Sequence, residues 1–115
     1  MDVDQIEPAA RSGLTNRLLP DERIEEAFRA ATTTVLFTDR RILTIQRHTL
    51  LNERLETSSF SYRAIRQFSV LEGDPQESRS EVKIWLGADP QPLHLRASHG
   101  ADLQPLQLLL ASKLR

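Results

Sequence analysis

Arginine side chains suggest the first chemistry in this sequence, which is the binding of an anion. Arg40 and Arg41 are the densest basic pair, and Arg23 is a neighbour that enlarges it. Arg29 is the one basic residue of the first expected hairpin, whose tip, residues 30–33, is interpreted as a solvated turn. A multiply charged phosphate needs several converging donors, and these four arginines are the candidates. Because adjacent residues on a strand point to opposite faces, one of Arg40 and Arg41 is expected to be structural.

Catalytic and metal-binding chemistry has little support in the sequence. The three histidines, His48, His94 and His99, fall on separate predicted elements, and no nucleophile motif accompanies them. A zinc site needs at least three ligands, and the chain contains no cysteine. Neither a glycine-rich phosphate loop nor a dinucleotide-binding fingerprint occurs. The sequence therefore predicts no catalytic residue, no metal and no cofactor, and the protein is not expected to be an enzyme.

Trp85 is a candidate interface residue because of its place in a predicted strand. Residues 81–86 alternate, so the apolar residues at 82, 84 and 86 share one face and Trp85 lies on the other. A large outward aromatic side chain needs a cover, and tryptophan is enriched at interaction hot spots. Two interpretations stay open: Leu14 and Leu18 of an N-terminal helix cover Trp85, or Trp85 anchors an interface. The interface candidates are Trp85, Lys83, Glu81, His94, Arg96 and Tyr62.

Seven strands are predicted to position these residues. Short runs rich in β-branched and aromatic residues, separated by turn residues, are typical of an antiparallel sheet. The runs cover residues 24–28, 34–37, 41–48, 54–60, 65–71, 81–86 and 92–97. Unpaired edges of an open sheet expose backbone donors and acceptors, which a second copy of the chain can satisfy by pairing.

The spacing of apolar residues predicts a helix on each side of the strands. At the N-terminus, steps of three and four separate Val3, Ile6, Ala10, Leu14 and Leu18. At the C-terminus, Asp102 is a predicted N-cap, and a leucine stripe follows at helical spacing: Leu103, Leu106, Leu110 and Leu114. One face of this second helix is expected to be buried against the strands.

Length and composition limit the classes of protein that fit. The 115 residues correspond to one domain, and 39% hydrophobic residues are too many for a disordered chain. Neither a secretory signal nor a run of about 20 apolar residues is present, so we expect a cytoplasmic protein. A formal net charge of -1 gives nucleic acid no strong overall attraction.

Three segments resemble the bacterial pleckstrin-homology-like (PH-like) family. They are residues 19–24, residues 35–43 and residues 60–65, the last ahead of the strand around Phe68. The family typically shows Phe-Thr-x-x-Arg-Ile, as at 37–42, then Tyr-x-x-Ile, as at 62–65, and an acidic-apolar strand ending in tryptophan, as at 81–85. The likeness spans residues 19 to 112. The turn at residues 48–53 departs from the pattern, because relatives usually carry glycines and lysines there.

The resemblance implies an α+β, mainly β fold. Two near-orthogonal antiparallel sheets of about seven strands would form a partly open barrel, capped by the C-terminal amphipathic helix. Residues 20–115 would be this domain, and residues 1–19 a helical extension. The family also implies a binding module without catalysis, several members of which assemble as closed rings through strand edges. We therefore expect protein partners, including a homo-oligomer. The alternative is peripheral binding of an anionic lipid headgroup at a membrane, or of a phosphate ligand, by Arg23, Arg29, Arg40 and Arg41.

Overall fold

The computed structural model describes residues 1–10, 14–74, 79–98 and 101–114. Eight strands and one α-helix follow one another in this part of the chain, with short 3-10 helices at Thr15–Arg17 and Tyr62–Ala64. The strands are β1 Asp2–Pro8, β2 Ile24–Arg29, β3 Thr33–Thr38, β4 Arg41–His48, β5 Arg54–Ser61, β6 Ile65–Leu71, β7 Glu81–Leu86 and β8 Leu93–Ala97, and the helix is α1 Gln104–Lys113. Strands β2 to β8 are the seven predicted from the sequence.

The described strands form one curved sheet in the order β5-β4-β3-β2-β1-β8-β7-β6, which is a half-barrel. The predictions of two separate sheets and of seven strands are wrong, because the additional strand β1 joins the two halves. It pairs antiparallel with β2 on one side and parallel with β8 on the other. Strands β5 and β6 follow one another along the chain yet lie at opposite ends of the sheet. The half-barrel is therefore open between them.

The predicted N-terminal helix is also wrong, and a β-bulge in β1 explains the misleading spacing. Val3 and Ile6 are both buried although they are three residues apart, a separation that is typical of a helix face. In β1 the register with β8 shifts between Asp4 and Ile6, and Gln5 has a positive φ of 59°. The extra residue returns Ile6 to the same side of the sheet as Val3. Asp4 Oδ1 accepts a hydrogen bond from the Gln5 amide at 2.8 Å within the bulge.

The inner face of the half-barrel and helix α1 form the larger core. Val82 and Ile84 are completely buried, as the alternation in β7 predicts, whereas Leu86 is partly exposed. Helix α1 contributes Leu106 and Leu110, which are also completely buried. Pro105 lies in the first turn of the helix. The N-cap is Leu103 rather than the predicted Asp102, although Asp102 Oδ1 accepts a hydrogen bond from the Gln104 amide at 3.0 Å. The predicted amphipathic helix thus packs into the open side of the sheet.

A smaller apolar cluster lies on the opposite face of β2, β3 and β4. Its buried members are Ile24, Ala27, Leu36, Leu43 and Ile45. Leu14 and Leu18 pack against this cluster from the segment between β1 and β2. Of the two interpretations of Trp85, the cover by these two leucines is wrong, because Trp85 belongs to β7 in the other half of the sheet. Segment 14–18 instead gives the outer face of β2 to β4 its own apolar cover.

Candidate interaction surfaces

Glu22 and Arg41 form an internal ion pair that joins two of the sequence motifs. The Glu22 side chain is fully buried, and that of Arg41 is 26% exposed. Arg41 donates from Nε to Glu22 Oε2 and from Nη2 to Oε1, both at 2.9 Å. The Thr38 hydroxyl donates to Oε2 at 2.6 Å, and the Leu19 amide donates to Oε1 at 3.0 Å. We call these four residues the Glu22 clasp.

The electrostatics of the Glu22 clasp identify it as structural. Hydrogen bonds from Arg41 lower the pKa of the Glu22 carboxyl from 4.5 to about 2, because they outweigh the effect of burial, which acts in the opposite direction. The same pair raises the pKa of Arg41. Arg41 also donates to the Ser59 hydroxyl at 3.0 Å and to the Arg17 carbonyl at 3.1 Å. Its donors are therefore engaged within the chain.

The other predicted anion-binding arginines do not converge on Arg41. Arg40 forms an exposed ion pair with Asp21 at 2.6 Å, and Arg23 lies 4.0 Å from a Glu25 carboxylate oxygen. Arg29 is at the far end of β2 from Arg23, a separation of about 20 Å along an extended strand. The structure therefore disperses the four candidates over three environments: an internal ion pair, a surface ion pair and an exposed strand end.

Five of the six predicted interface residues lie on one outer face, which we call the Trp85 face. The register pairs Lys83 of β7 with His94 of β8 and Glu81 with Arg96. Such cross-strand partners share a side of the sheet, and Trp85 follows Glu81 and Lys83 in the same alternation. Trp85 is half-buried. The structure thus brings these five side chains to one side of the sheet.

Most charges on the Trp85 face are paired within the chain. His94 Nε2 lies 2.6 Å from Glu81 Oε1, and His94 Nδ1 lies 3.2 Å from Asp2 Oδ1. Arg96 Nε lies 3.4 Å from Glu81 Oε1. These contacts connect β1, β7 and β8. Lys83 forms no ion pair with any residue that the structure describes, which leaves Lys83 and Trp85 as the side chains of this face most available to a partner.

Tyr62 is separate from the Trp85 face. Its ring is buried in the larger core, and its hydroxyl donates to the Thr38 carbonyl at 2.6 Å. The Lys113 ammonium lies 5.0 Å from the ring centroid. Burial raises the pKa of the Tyr62 phenol. Tyr62 therefore holds the C-terminal end of α1 near the β3–β4 turn, and the prediction that it borders Trp85 does not match its position.

Among the described residues, the edge strands β5 and β6 each have a strand partner on one side only. Arg47 donates its amide to the Thr32 carbonyl at 2.8 Å, so alternation along β4 directs the backbone groups of Gln46 toward β5. Gln46 pairs with Glu56 in the register. The backbone N–H and C=O groups of the next residue, Thr57, therefore point away from the sheet. At the opposite end of the sheet, β6 pairs with β7 on one side and has no described strand on the other.

A groove on the outer face of β2 to β4 collects arginines that the sequence analysis missed. Arg17 and Arg47 line it together with Arg29 and the tip of the β2–β3 hairpin. The sequence contains one part of the signal, the alternation along β4, and the structure supplies the other, the register between strands. Arg47 continues the outward alternation of Ile45 in β4, and the register connects Ile45 with Thr34 and Thr34 with Arg29. Arg17 had no such signal, because its position depends on how segment 14–18 folds back.

The histidines occupy unrelated positions. His48 Nε2 lies 2.9 Å from Glu56 Oε1 on the exposed ends of β4 and β5, and His94 belongs to the Trp85 face. His99 lies outside the described residues. In the part of the chain that the structure describes, no three potential metal ligands come together. No helix among those residues has the length and apolar character needed to cross a membrane.

Comparisons with known proteins agree with the fold. A family model described as Bacterial PH domain matches residues 3–114. The uncharacterized protein YjqA of Bacillus subtilis (strain 168) is 28% identical over 105 residues, which are 90% of this chain and 84% of that protein.

Two solved structures share the architecture. A DUF1696 family protein with a pleckstrin-homology domain from Shewanella loihica PV-4 superposes with a TM-score of 0.80 at 20% identity, covering 95% of this chain and 97% of the other. A pleckstrin homology domain from Shewanella amazonensis SB2B gives a TM-score of 0.68 at 23% identity, covering 87% and 90%. The predicted PH-like fold is thereby confirmed, and the match to the family model shows that this chain belongs to the bacterial PH domain family.

Proposed function

We propose that this PH domain is a non-enzymatic interaction module that binds other proteins, including further copies of itself, through the free edges of its sheet. The observation that carries the proposal is the unprotected edge of β5. Natural edge strands usually avoid pairing by means of proline, a bulge, an inward charge or a covering segment. Strand β5 is paired with β4 over eight residues without a register shift, and its last five residues, 57–61, include no charge and no proline.

The edge of β6 supports the same mode of association. Its register shift lies at its beginning, between Ile65 and Gln67, and residues 67–71 carry no charge. Because the two free edges belong to different strands, pairing β5 of one copy with β6 of the next is a head-to-tail contact, which generates a ring if it closes.

The Trp85 face lies beside the β6 edge and extends the contact. Gln67 of β6 pairs with Trp85, and Leu71 of β6 pairs with Glu81. The Leu71 residue is 60% exposed. A neighbouring copy paired with β6 would therefore meet an apolar residue and a half-buried tryptophan next to the backbone contacts. Aromatic residues of this type dominate many protein interfaces.

The proposal is tested by the mass of the assembly and one backbone variant. We expect light scattering at micromolar concentration to give a multiple of 13.1 kDa for the wild-type chain. Thr57→Pro removes an N–H that points away from β4, so it should lower the mass toward the monomer and keep the fold. Thr57→Val keeps that N–H and is the matched control. Trp85→Ala should also weaken the assembly. Self-association is contradicted if the wild-type chain gives only a mass of 13.1 kDa and neither Thr57→Pro nor Trp85→Ala changes it.

The alternative function, anion binding by Arg23, Arg29, Arg40 and Arg41 acting together, has weaker geometric support. Arg41 is engaged by Glu22, and Arg40 is engaged by Asp21. Only Arg29 among the four lies in a groove with other arginines.

A further inference from the structure

The turn between β4 and β5 carries two adjacent leucines that the described part of the chain leaves uncovered. Leu50 is 94% exposed and Leu51 is 90% exposed, the two highest values among the large apolar residues on the surface. We call these two residues the leucine tip. Single exposed leucines are ordinary on protein surfaces, whereas adjacent ones on a projecting turn form an apolar patch that favours contact with a partner.

An apolar pocket of about 270 Å³ lies at the start of β6, and we call it the Leu86 pocket. Its walls include Phe60, Ala64, Leu86, Gly87, Gln91 and Leu93. Hydrogen bonds fix its rim. The Gly87 amide donates to the Ala64 carbonyl at 2.7 Å. Arg66 donates to the carbonyls of Gly87 and Asp89, both at 3.0 Å. The pocket is therefore preformed, and a preformed apolar pocket suits an apolar side chain.

The leucine tip cannot reach the Leu86 pocket of its own chain. Phe60 in the pocket wall lies about 20 Å along β5 from Arg54, at about 3.3 Å per residue, and the tip lies beyond Arg54. The leucines of the tip can therefore fill this pocket only in another copy of the chain.

The directions of the two edge strands decide which end of β6 faces the tip of a neighbouring copy. Every pair of neighbouring strands is antiparallel except β1 with β8, which is parallel. Followed through the order β5-β4-β3-β2-β1-β8-β7-β6, these pairings give β5 and β6 the same direction in the sheet.

A closed ring requires that β5 pairs in parallel with β6 of the next copy. Parallel pairing keeps the inner faces of all copies on the same side. Antiparallel pairing of these two strands would turn each copy over relative to the previous one, and with more than two copies its repetition builds a filament instead of a ring. In the parallel contact, the start of β5, where the leucine tip projects, lies beside the start of β6 of the next copy, where the Leu86 pocket opens.

We propose that the leucine tip of one copy inserts into the Leu86 pocket of the next copy. This inference rests on the pairing of β5 with β6 proposed above, and it adds the side-chain contact that fixes the direction of that pairing. The charges beside the two features agree with it. Arg54 borders the tip and Asp89 borders the pocket, and neither forms an ion pair with a described residue.

Cysteine cross-linking tests the contact directly, because the chain has no cysteine of its own. The double variant Leu51→Cys with Gln91→Cys places one thiol on the leucine tip and one at the Leu86 pocket. A disulfide needs Cα atoms within about 7 Å, so these two positions cannot be joined within one chain. Mild oxidation should therefore give a ladder of covalent multimers on a denaturing gel. Leu108→Cys with Gln91→Cys is the matched control and should remain monomeric on that gel, because Leu108 is an exposed leucine of α1 rather than of the tip.

The stability of the assembly provides a second measurement. Leu50→Ser together with Leu51→Ser should raise the concentration at which the assembly half-dissociates roughly tenfold or more, because two leucines lose their burial. Leu108→Ser, at a leucine that is 61% exposed, should leave that concentration unchanged. Circular dichroism establishes that each variant is folded.

Failure of the insertion can be distinguished from failure of the edge pairing. The insertion is overturned, and the edge pairing stands, if Thr57→Pro dissociates the assembly while the double serine variant keeps its mass and the cysteine pair gives no ladder. Both proposals are overturned if the wild-type chain gives only 13.1 kDa. Flotation of the wild type with phosphatidylcholine vesicles that the double serine variant abolishes, with its mass unchanged, also overturns the insertion, because the tip then binds a membrane.

Discussion

Neutralising Glu22 should strongly destabilise the fold at neutral pH and have little effect in acid. The variant is Glu22→Gln, which keeps the size of the side chain and removes its charge. The pKa of Glu22 falls from 4.5 in the unfolded chain to about 2 in the folded one. At about 1.4 kcal/mol per unit of pKa, this difference corresponds to about 3 kcal/mol of stability. Removing one partner of a buried ion pair costs a similar amount, about 3–5 kcal/mol.

The sign of the pH dependence follows from the direction of the shift. Because folding lowers the pKa, the stabilisation by Glu22 is fully present above pH 4.5 and is lost as pH falls toward 2. The free energy of unfolding of the wild type should therefore fall over this range relative to Glu22→Gln. The difference between the two proteins should be largest at pH 7 and should shrink steadily below pH 4.5.

Urea unfolding between pH 3 and 7 measures this difference, with the fluorescence of Trp85, the single tryptophan, as the signal. Asp21→Asn is the control, because the pair between Asp21 and Arg40 is exposed and should contribute less than about 1 kcal/mol. The assignment of the Glu22 clasp is refuted if the two variants lose equal stability at pH 7. It is also refuted if the loss in Glu22→Gln is the same at pH 3 as at pH 7.

Two further predictions concern the core. Leu106→Ala should lower the free energy of unfolding by about 2–5 kcal/mol because Leu106 is completely buried. Leu108 lies on the same helix but is 61% exposed, so Leu108→Ala should change it by less than about 0.5 kcal/mol. Equal losses of stability in a thermal melt would contradict the packing of α1. Tyr62 is the single tyrosine and burial raises its pKa, so phenolate absorbance near ~295 nm should appear only together with alkaline unfolding, and an ionisation that precedes unfolding would contradict its burial.

The strands were predictable because their signals are local. In β7, Val82 and Ile84 alternate with Lys83 and Trp85, and the period of two specifies both the strand and its buried face. The leucine stripe of α1 is equally local, since a helix buries the residues at steps of three and four. The same rule led to the wrong element for β1. A bulge at Gln5 gives Val3 and Ile6 a helical separation within a strand, and nothing in the sequence distinguishes the two cases.

The closure of the sheet was not predictable because it depends on partners that are distant in sequence. Strand β1 pairs with β8, more than ninety residues later, and this pairing joins what otherwise looks like two sheets. The segment that covers the apolar cluster on β2 to β4 was not predictable for the same reason. Leu14 and Leu18 indicate that an apolar surface is needed, but they do not indicate whether that surface is β7 or β2 to β4.

The arginines show why motifs locate structure more readily than binding sites in this domain. Arg41 lies in the most recognisable motif of the chain, and its guanidinium group donates hydrogen bonds to the Glu22 carboxylate and to the carbonyl of Arg17. That second contact holds the backbone of Arg17, a residue that lines the groove on the outer face of β2 to β4. Arg17, Arg29 and Arg47 belong to no motif. Strand register places Arg29 and Arg47 on one face, and Arg17 reaches the same groove only through the fold of segment 14–18. Adjacent residues of a strand point to opposite faces, so a basic pair such as Arg40 and Arg41 does not by itself predict donors that converge on one anion.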